Sequence, residues 1–209
     1  MPRVFDISQP LHAGLPVWPG DTSFKRDDTW TISDECPVKV SKLTLSTHSG
    51  AHADAPEHYG RDGVDIASVP LKPYLGECSV RTVNGTDPQV QLDEINWDRV
   101  TYPERLLMRT YQSFPHDAWD HNFRAIHPDV IKKLAGLGGL LIGTDAASID
   151  PETSKSLDAH KAVEAADMRI LEGLVFDGVP DGDYELIALP LPIQNADASP
   201  VRAILRELS

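Results

Sequence analysis

Cysteine is scarce in this chain, which has only Cys36 and Cys78 among its 209 residues. Two thiols are too few for a disulfide framework, and no CxxC pattern is present. A structural zinc site built from cysteines is therefore excluded. We expect both cysteines to be free structural thiols in a reducing compartment, most simply the cytoplasm.

Long hydrophobic runs are also missing. The best run, residues 134–142, covers about nine residues and is interrupted by three glycines, whereas a membrane-spanning helix needs about 20 apolar residues. The N-terminus lacks the apolar stretch of a signal peptide. These absences predict no membrane segment and a cytoplasmic location.

Basic residues are outnumbered, with 19 lysines and arginines against 32 acidic residues and a formal net charge of −13. A protein that binds a phosphate backbone needs a surplus of positive charge, so we expect no nucleic-acid partner. An anionic membrane leaflet would also repel a surface of this charge.

Enough apolar residues are present for a core, at 41% of the chain. The 17 prolines and 14 glycines are spread along the whole sequence, and no internal repeat or low-complexity segment is visible. This distribution predicts a single compact, loop-rich domain over residues 1–209.

Short apolar runs predict most of the secondary structure as strands. We predict strands at residues 4–8, 38–45, 78–83, 106–110, 140–143 and 184–193. Within 38–45 the apolar alternation breaks at Ser41 and Lys42, which predicts a bulge. The dipeptide Asn84-Gly85 predicts a turn after the third strand.

Helix signals are fewer. We predict helices at 127–137, where Pro128 stands near the first position, at 158–166, and at 199–208, where Ser199 would be the N-cap and Pro200 the first helical residue. The mixture indicates an α/β class, a β-rich domain with a few helices. Strand order does not follow from these patterns.

The most informative stretch is residues 48–58, which contains three of the eight histidines and has the spacing H-x3-H-x-D-x3-H. Gly50 and Pro56 oppose a regular helix here, so we predict a strand that leads into a tight loop or a single turn. Imidazole and carboxylate groups at this density favour a metal site over a polar turn. His58 could be a fourth ligand, a proton shuttle or a surface residue.

Ligands from one loop usually need others from elsewhere in the chain. His160 begins the predicted second helix, and Glu172 lies between apolar neighbours where an unpaired acid would be costly to bury. Composition alone does not choose Glu172 over Glu164 or Asp167. The donor types suit zinc, manganese and iron. Trp18, judged on its own, is an ordinary partly buried aromatic residue.

The motif at residues 48–58 resembles that of the bacterial kynurenine formamidases, members of the cyclase-like family of metal-dependent hydrolases. The family motif is H-x-G-T-H-x-D-x-P-x-H, and Ala51 stands where most of the superfamily has Thr, as in the formamidase subgroup. The segments 5–8, 16–21, 143–150 and 197–203 are similar to further landmarks of the family, so the resemblance covers nearly the whole chain.

The resemblance implies a cyclase-like, swivelling β/α domain that forms a homodimer and holds two metal ions, usually zinc. It implies the first ion on His48, His52 and Asp54, and a second ion that His160 and Glu172 complete, with Asp54 and Glu172 shared between the two. The implied proton donor and acceptor is His58, and Trp18 would contact the substrate.

The implied reaction is hydrolysis of N-formyl-L-kynurenine to L-kynurenine and formate in tryptophan degradation. A sibling hydrolase that acts on another small amide, such as isatin, and a metal-binding module without catalysis are the alternatives.

Overall fold

The structure is a computed structural model that describes residues 2–208. Its strands are β1 (Val4–Asp6), β2 (Lys25–Trp30), β3 (Val40–Thr44), β4 (His52–Asp54), β5 (Leu75–Thr82), β6 (Gln89–Val90), β7 (Arg105–Arg109), β8 (Ala125–Ile126), β9 (Leu141–Thr144), β10 (Arg169–Glu172), β11 (Gly182–Ile187), β12 (Ala198–Pro200) and β13 (Ile204–Glu207). The α-helices are α1 (Pro56–Tyr59), α2 (Pro128–Gly136) and α3 (Asp158–Ala165).

Nine strands form one mixed sheet in the order β1-β13-β11-β5-β7-β9-β10-β4-β12. The central strands β5, β7, β9 and β10 are parallel, and the strands on both sides of them are antiparallel. Phe5 of β1 and Ala53 of β4 come from distant parts of this order, yet they belong to one buried cluster. The sheet is therefore strongly curled, which confirms the predicted β-rich α/β class.

Helices α2 and α3 cover one face of the parallel strands. Leu106 and Met108 of β7 face the helices, while Leu107 between them belongs to the cluster inside the curl. A strand that is buried on both faces reads as a continuous apolar run, which explains why β7 and β9 are recognisable in the sequence. No helix within residues 2–208 is long and apolar enough to span a bilayer.

The strands predicted at 4–8, 78–83, 106–110, 140–143 and 184–193 are confirmed as β1, β5, β7, β9 and β11, with shifted ends. The helices predicted at 127–137 and 158–166 are confirmed as α2 and α3. His127 caps α2, because its ring nitrogen accepts a hydrogen bond from the backbone N–H of Asp129.

The helix predicted at 199–208 is wrong, because the chain forms strands β12 and β13 there. Val201, Ala203 and Leu205 are buried and alternate with residues such as the exposed Arg202. That period of two belongs to a strand, and it outweighs the capping signal.

The strand predicted at 38–45 is confirmed as β3, but the bulge is not at Ser41 and Lys42. The irregularity lies in the partner strand β2, between Asp28 and Trp30. Strands β2 and β3 form a separate two-stranded sheet, here called the hairpin arm, in which every residue is exposed.

Candidate metal centre

The pairing of β4 with β10 brings two predicted ligands face to face. His52 lies directly opposite Glu172 in the antiparallel register, and Asp54 is two residues further along β4. Alternate residues of a strand point to the same side, so His52 and Asp54 project together toward Glu172. All three side chains are buried.

His160 reaches the same place from the first turn of α3. The carboxylate of Asp150 accepts hydrogen bonds from the backbone N–H groups of Ala159 and His160, and it lies 2.7 Å from Nδ1 of the His160 ring. One carboxylate therefore caps the helix and orients the ring. The other nitrogen, Nε2, faces Asp54 at 3.5 Å.

His48 and His52 are oriented in a comparable way. The Nδ1 of His52 lies 2.8 Å from the carbonyl oxygen of Gly50, and Nε2 of His48 lies 3.1 Å from Oδ2 of Asp197. Each of the three histidines thus has one nitrogen held by an oxygen acceptor and the other directed at the carboxylates. Metal-ligating histidines in proteins are usually held in this manner.

Five residues meet at this point and are here called the ligand cluster: His48, His52, Asp54, His160 and Glu172. The Oδ1 of Asp54 is 3.1 Å from Nδ1 of His48 and 3.4 Å from Nε2 of His52. The Oε2 of Glu172 is 3.4 Å from Nε2 of His52, and its Oε1 is 3.8 Å from Nε2 of His160. Ligand bonds of about 2.0–2.2 Å around a tetrahedral ion give ligand–ligand separations of about 3.3–3.6 Å, so the spacing suits a bound metal.

Four buried atoms of the ligand cluster lack a hydrogen-bond partner among the described residues: both oxygens of Asp54, Nε2 of His52 and Nε2 of His160. Such atoms normally find partners, and each unpaired group costs about 1–3 kcal/mol. These four point toward one another, which is the arrangement expected of ligand atoms for a cation. The residues therefore fit a metal.

The charges of the ligand cluster depend on one another. Burial opposes ionisation of Asp54, yet the rings of His160 and His48 hold the pKa of Asp54 well below its usual range. Burial also opposes protonation of the histidines, but Asp54 raises the pKa of His48 to about 9, and Asp150 with Asp54 raises that of His160 to about 10.

His58 stands at the rim of the ligand cluster, on the single turn of α1. Its ring centroid is 4.3 Å from that of His48 and 5.8 Å from that of His160. It borders a cavity of about 330 Å³. Trp18 and Trp119 line the same cavity and pack edge to face, with ring centroids 5.4 Å apart.

The structure thus brings together every site residue named from the sequence, and it adds three that were missed. Asp150 and Asp197 lie within hydrogen-bond distance of His160 and His48, and Trp119 is a second aromatic residue that lines the cavity. Asp150 and Asp197 lie in segments that resemble the family, which was the available signal, but nothing in their spacing points to the histidines. His116 and His121 pair with carboxylates outside the cavity.

Three imidazoles and two carboxylates that open on a cavity are typical of a metal-dependent enzyme. The family model described as "Putative cyclase" matches residues 5–151. The chain therefore belongs to the cyclase family, which confirms the resemblance found in the sequence.

Two curated relatives match along their full length. A protein of Maricaulis maris named "Kynurenine formamidase" is 61% identical over 208 residues, which is 100% of both chains. A protein of the same name from Sphingopyxis alaskensis is 54% identical over 209 residues, again 100% of both.

Solved structures share the fold. A "predicted metal-dependent hydrolase" from Bacillus stearothermophilus superposes with a TM-score of 0.84 at 28% identity and covers 100% of both chains. Isatin hydrolase A from Labrenzia aggregata gives a TM-score of 0.84 at 20% identity, with 100% of this chain and 94% of that chain covered. At that identity the second similarity concerns the fold alone.

Proposed function

We propose that this chain hydrolyses N-formyl-L-kynurenine to L-kynurenine and formate, a step of tryptophan degradation. The observation that carries the proposal is the pair of full-length relatives named kynurenine formamidase, at 61% and 54% identity. The cavity supports it, because two tryptophans beside the ligand cluster suit a small aromatic amide.

We propose that the ligand cluster would hold two metal ions, with zinc as the element. Asp54 and Glu172 each direct one oxygen toward His52 and the other toward His160. Carboxylates arranged in this way support two ions held side by side. His48, His52 and Asp54 would hold the first ion, and His160 would complete the second with the shared Asp54 and Glu172. Manganese and iron accept the same donors.

When bound, the metal supplies Lewis-acid polarisation of the formyl carbonyl and makes hydroxide available near neutral pH. His58 takes a proton from the attacking water and gives one to the aromatic amine as the C–N bond breaks. General acid–base catalysis of this kind contributes about 10²–10⁴-fold. Trp18 presents its face to the aminophenyl ring of the substrate.

The direct test is hydrolysis of N-formyl-L-kynurenine by the purified chain, first stripped of metal and then reloaded with zinc. We expect turnover that depends on the metal, together with little hydrolysis of isatin. Turnover of isatin without turnover of N-formyl-L-kynurenine would assign the chain to the isatin-type alternative. No turnover of either substrate by the zinc-loaded protein would leave a metal-binding module.

Two variants separate proton transfer from metal binding. His58→Ala should retain the metal content of the parent chain, measured by elemental analysis, and lose about 10²–10⁴-fold in kcat. His52→Ala should lose metal as well as activity, because its Nε2 faces both carboxylates. Full metal content in His52→Ala would contradict the ligand assignment.

A homodimer is proposed from the hairpin arm. Trp30 is 56% exposed, its cross-strand partner Val40 38% and Ile32 at the tip 67%, so neighbouring apolar side chains of the hairpin arm are open to solvent. Surfaces of this kind usually mark protein contacts. Light scattering should give twice the 23.0 kDa of one chain, and Ile32→Glu should weaken the association. A monomer at high protein concentration would refute it.

A further inference from the structure

Asp197 lies at the junction of the strand that carries Asp54 and the helix that carries His58. It directly precedes β12, in which Ala198 pairs with Asp54. Its carbonyl oxygen accepts a hydrogen bond of 2.8 Å from the backbone N–H of Ala55. The main chain at Asp197 is therefore fixed relative to both elements, whatever its side chain.

The side chain of Asp197 contacts three residues. Its Oδ1 accepts a hydrogen bond of 2.8 Å from the hydroxyl of Thr47, which fixes the rotation of the carboxylate. Its Oδ2 lies 3.1 Å from Nε2 of His48 and 3.6 Å from Nδ1 of His58. One carboxylate oxygen thus lies between the two imidazoles.

We infer that Asp197 is a positioning residue that holds the metal ligand His48 and the proton-transfer residue His58 in one fixed arrangement. With Nε2–H of His48 donating to Asp197, the nitrogen that remains for a metal is Nδ1, which faces Asp54 at 3.1 Å. The inference rests on the proposed function, because it assigns His48 and His58 the roles given there.

His52 and His160 are each oriented by a different hydrogen-bond acceptor. Unlike Asp197, neither of these acceptors contacts a second histidine among the described residues. Asp150 orients His160 from the N-terminus of α3, and the carbonyl of Gly50 orients His52. His48 precedes β4 in a turn, and its side chain is more exposed than those of His52 and His160. It therefore depends most on an external partner for its orientation.

The test uses Asp197→Ala and Asp197→Asn. The zinc dissociation constant is measured on metal-free protein by competition with a chromogenic chelator, and the visible spectrum is recorded with cobalt in place of zinc. We expect Asp197→Ala to bind zinc about 10–100-fold more weakly and to change the cobalt spectrum, since loss of an outer partner costs that much in other metal sites. Its kcat should fall more than its KM rises.

Asp197→Asn should recover most of the zinc affinity, because its amide keeps one oxygen for His48 while its NH₂ group donates to the Thr47 hydroxyl. Thr47→Val should shift the zinc affinity in the same direction as Asp197→Ala and by less. These two variants keep the inference testable if Asp197→Ala folds poorly.

Asp177→Asn is the matched control, because Asp177 is exposed to a similar extent and also pairs with a histidine, His116, at 2.8 Å, but this pair lies outside the cavity. It should leave the zinc affinity, the cobalt spectrum and kcat unchanged. If Asp197→Ala has the same zinc affinity and the same cobalt spectrum as the parent chain, the inference is wrong. A third zinc ion per chain that is lost in Asp197→Ala would also overturn it, since Asp197, His48 and His58 would then themselves be ligands.

The inference and the proposed function fail separately. If the parent chain does not hydrolyse N-formyl-L-kynurenine but Asp197→Ala weakens zinc binding, the positioning of His48 stands and the reaction is wrong. If the parent chain is active and the zinc affinity of Asp197→Ala is unchanged, the reaction stands and the positioning role is wrong.

Discussion

Zinc binding to the metal-free chain should release protons, because His48 and His160 must lose theirs before they can bind a metal. Carboxylates raise the pKa of His48 to about 9 and that of His160 to about 10, against an ordinary histidine value of about 6.5. These values predict that both rings are cationic at pH 7 in the metal-free chain, beside Asp54, whose own pKa lies well below its usual range.

The size of the effect follows from these values. A nitrogen binds metal only without its proton, so occupation of both sites at pH 7 should release about two protons per chain from these two rings, before any proton lost by water is counted. Below pH 9 the apparent association constant of each zinc ion should therefore rise by about tenfold per pH unit, and the product of the two constants by about a hundredfold. A constant that is independent of pH would mean that the rings are already neutral.

The same shifts set the stability of the metal-free fold. A raised histidine pKa contributes stability that is fully present below about pH 6.5 and is lost as the pH rises through 9 and 10. The metal-free protein should therefore become easier to unfold between pH 7 and pH 10, while the zinc-loaded protein should change less because its histidines are already deprotonated.

Isothermal titration calorimetry measures the proton release directly. Zinc is titrated into metal-free protein at pH 7 in buffers of different protonation enthalpy, and the slope of the observed enthalpy gives the number of protons. His116→Gln, which changes an exposed histidine outside the cavity, should give the parental slope. Release of fewer than one proton per chain would refute the charge assignment.

Three further measurements test other parts of the molecule. Burial raises the pKa of Cys78 to about 12, so a thiol reagent at pH 8 should label Cys36 in the folded chain and reach Cys78 only in denaturant; equal labelling rates would contradict this. Asp21 lines the cavity from an exposed position, where we expect its carboxylate to pair with the ammonium group of the substrate. Such a contact contributes about 0.2–1 kcal/mol, so Asp21→Asn should raise KM for N-formyl-L-kynurenine by about 1.4–5-fold and leave KM for an aryl formamide without an ammonium group unchanged. Leu107 is fully buried inside the curl, so Leu107→Ala should lower the free energy of unfolding by about 2–5 kcal/mol in a urea titration. A loss below about 1 kcal/mol would show that the neighbouring side chains fill the cavity left by the substitution.

The parts of the fold that the sequence predicts are those governed by local patterns. The parallel strands β7 and β9 carry continuous apolar runs, and α2 begins at a recognisable His127-Pro128 start. Of the two strands of the hairpin arm, only β3 was predicted from the sequence. Its strand β2 includes Lys25, Arg26 and Asp27 and is exposed on both faces within the chain, so no apolar alternation marks it.

The candidate site divides in the same way. His48, His52 and Asp54 lie close enough in sequence for their spacing to indicate a metal. His160 and Glu172 were candidates from their local sequence context, but only the family resemblance chose Glu172 over Glu164 and Asp167. The sequence pattern could not do so, because the approach of both residues to the site depends on β10 pairing with β4 and on α3 packing beside them. The order of the strands in the sheet decides which residues meet at the site. The periodicity of apolar residues along the sequence carries no information about that order.

The positions of Asp54, Glu172 and His58 in the fold predict that substitutions at the proposed metal ligands and at the proposed proton-transfer residue will have different effects. Asp54 and Glu172 are buried on two paired strands, so a change there disturbs the sheet and leaves histidine charges without partners. His58 stands on a one-turn helix at the rim, and its side chain is one-third exposed. We therefore expect its replacement to leave the strands and the distances within the ligand cluster unchanged. Loss of turnover without loss of metal or stability is therefore the expected signature of His58 alone, whereas substitutions at Asp54 or Glu172 should change turnover, metal content and stability together.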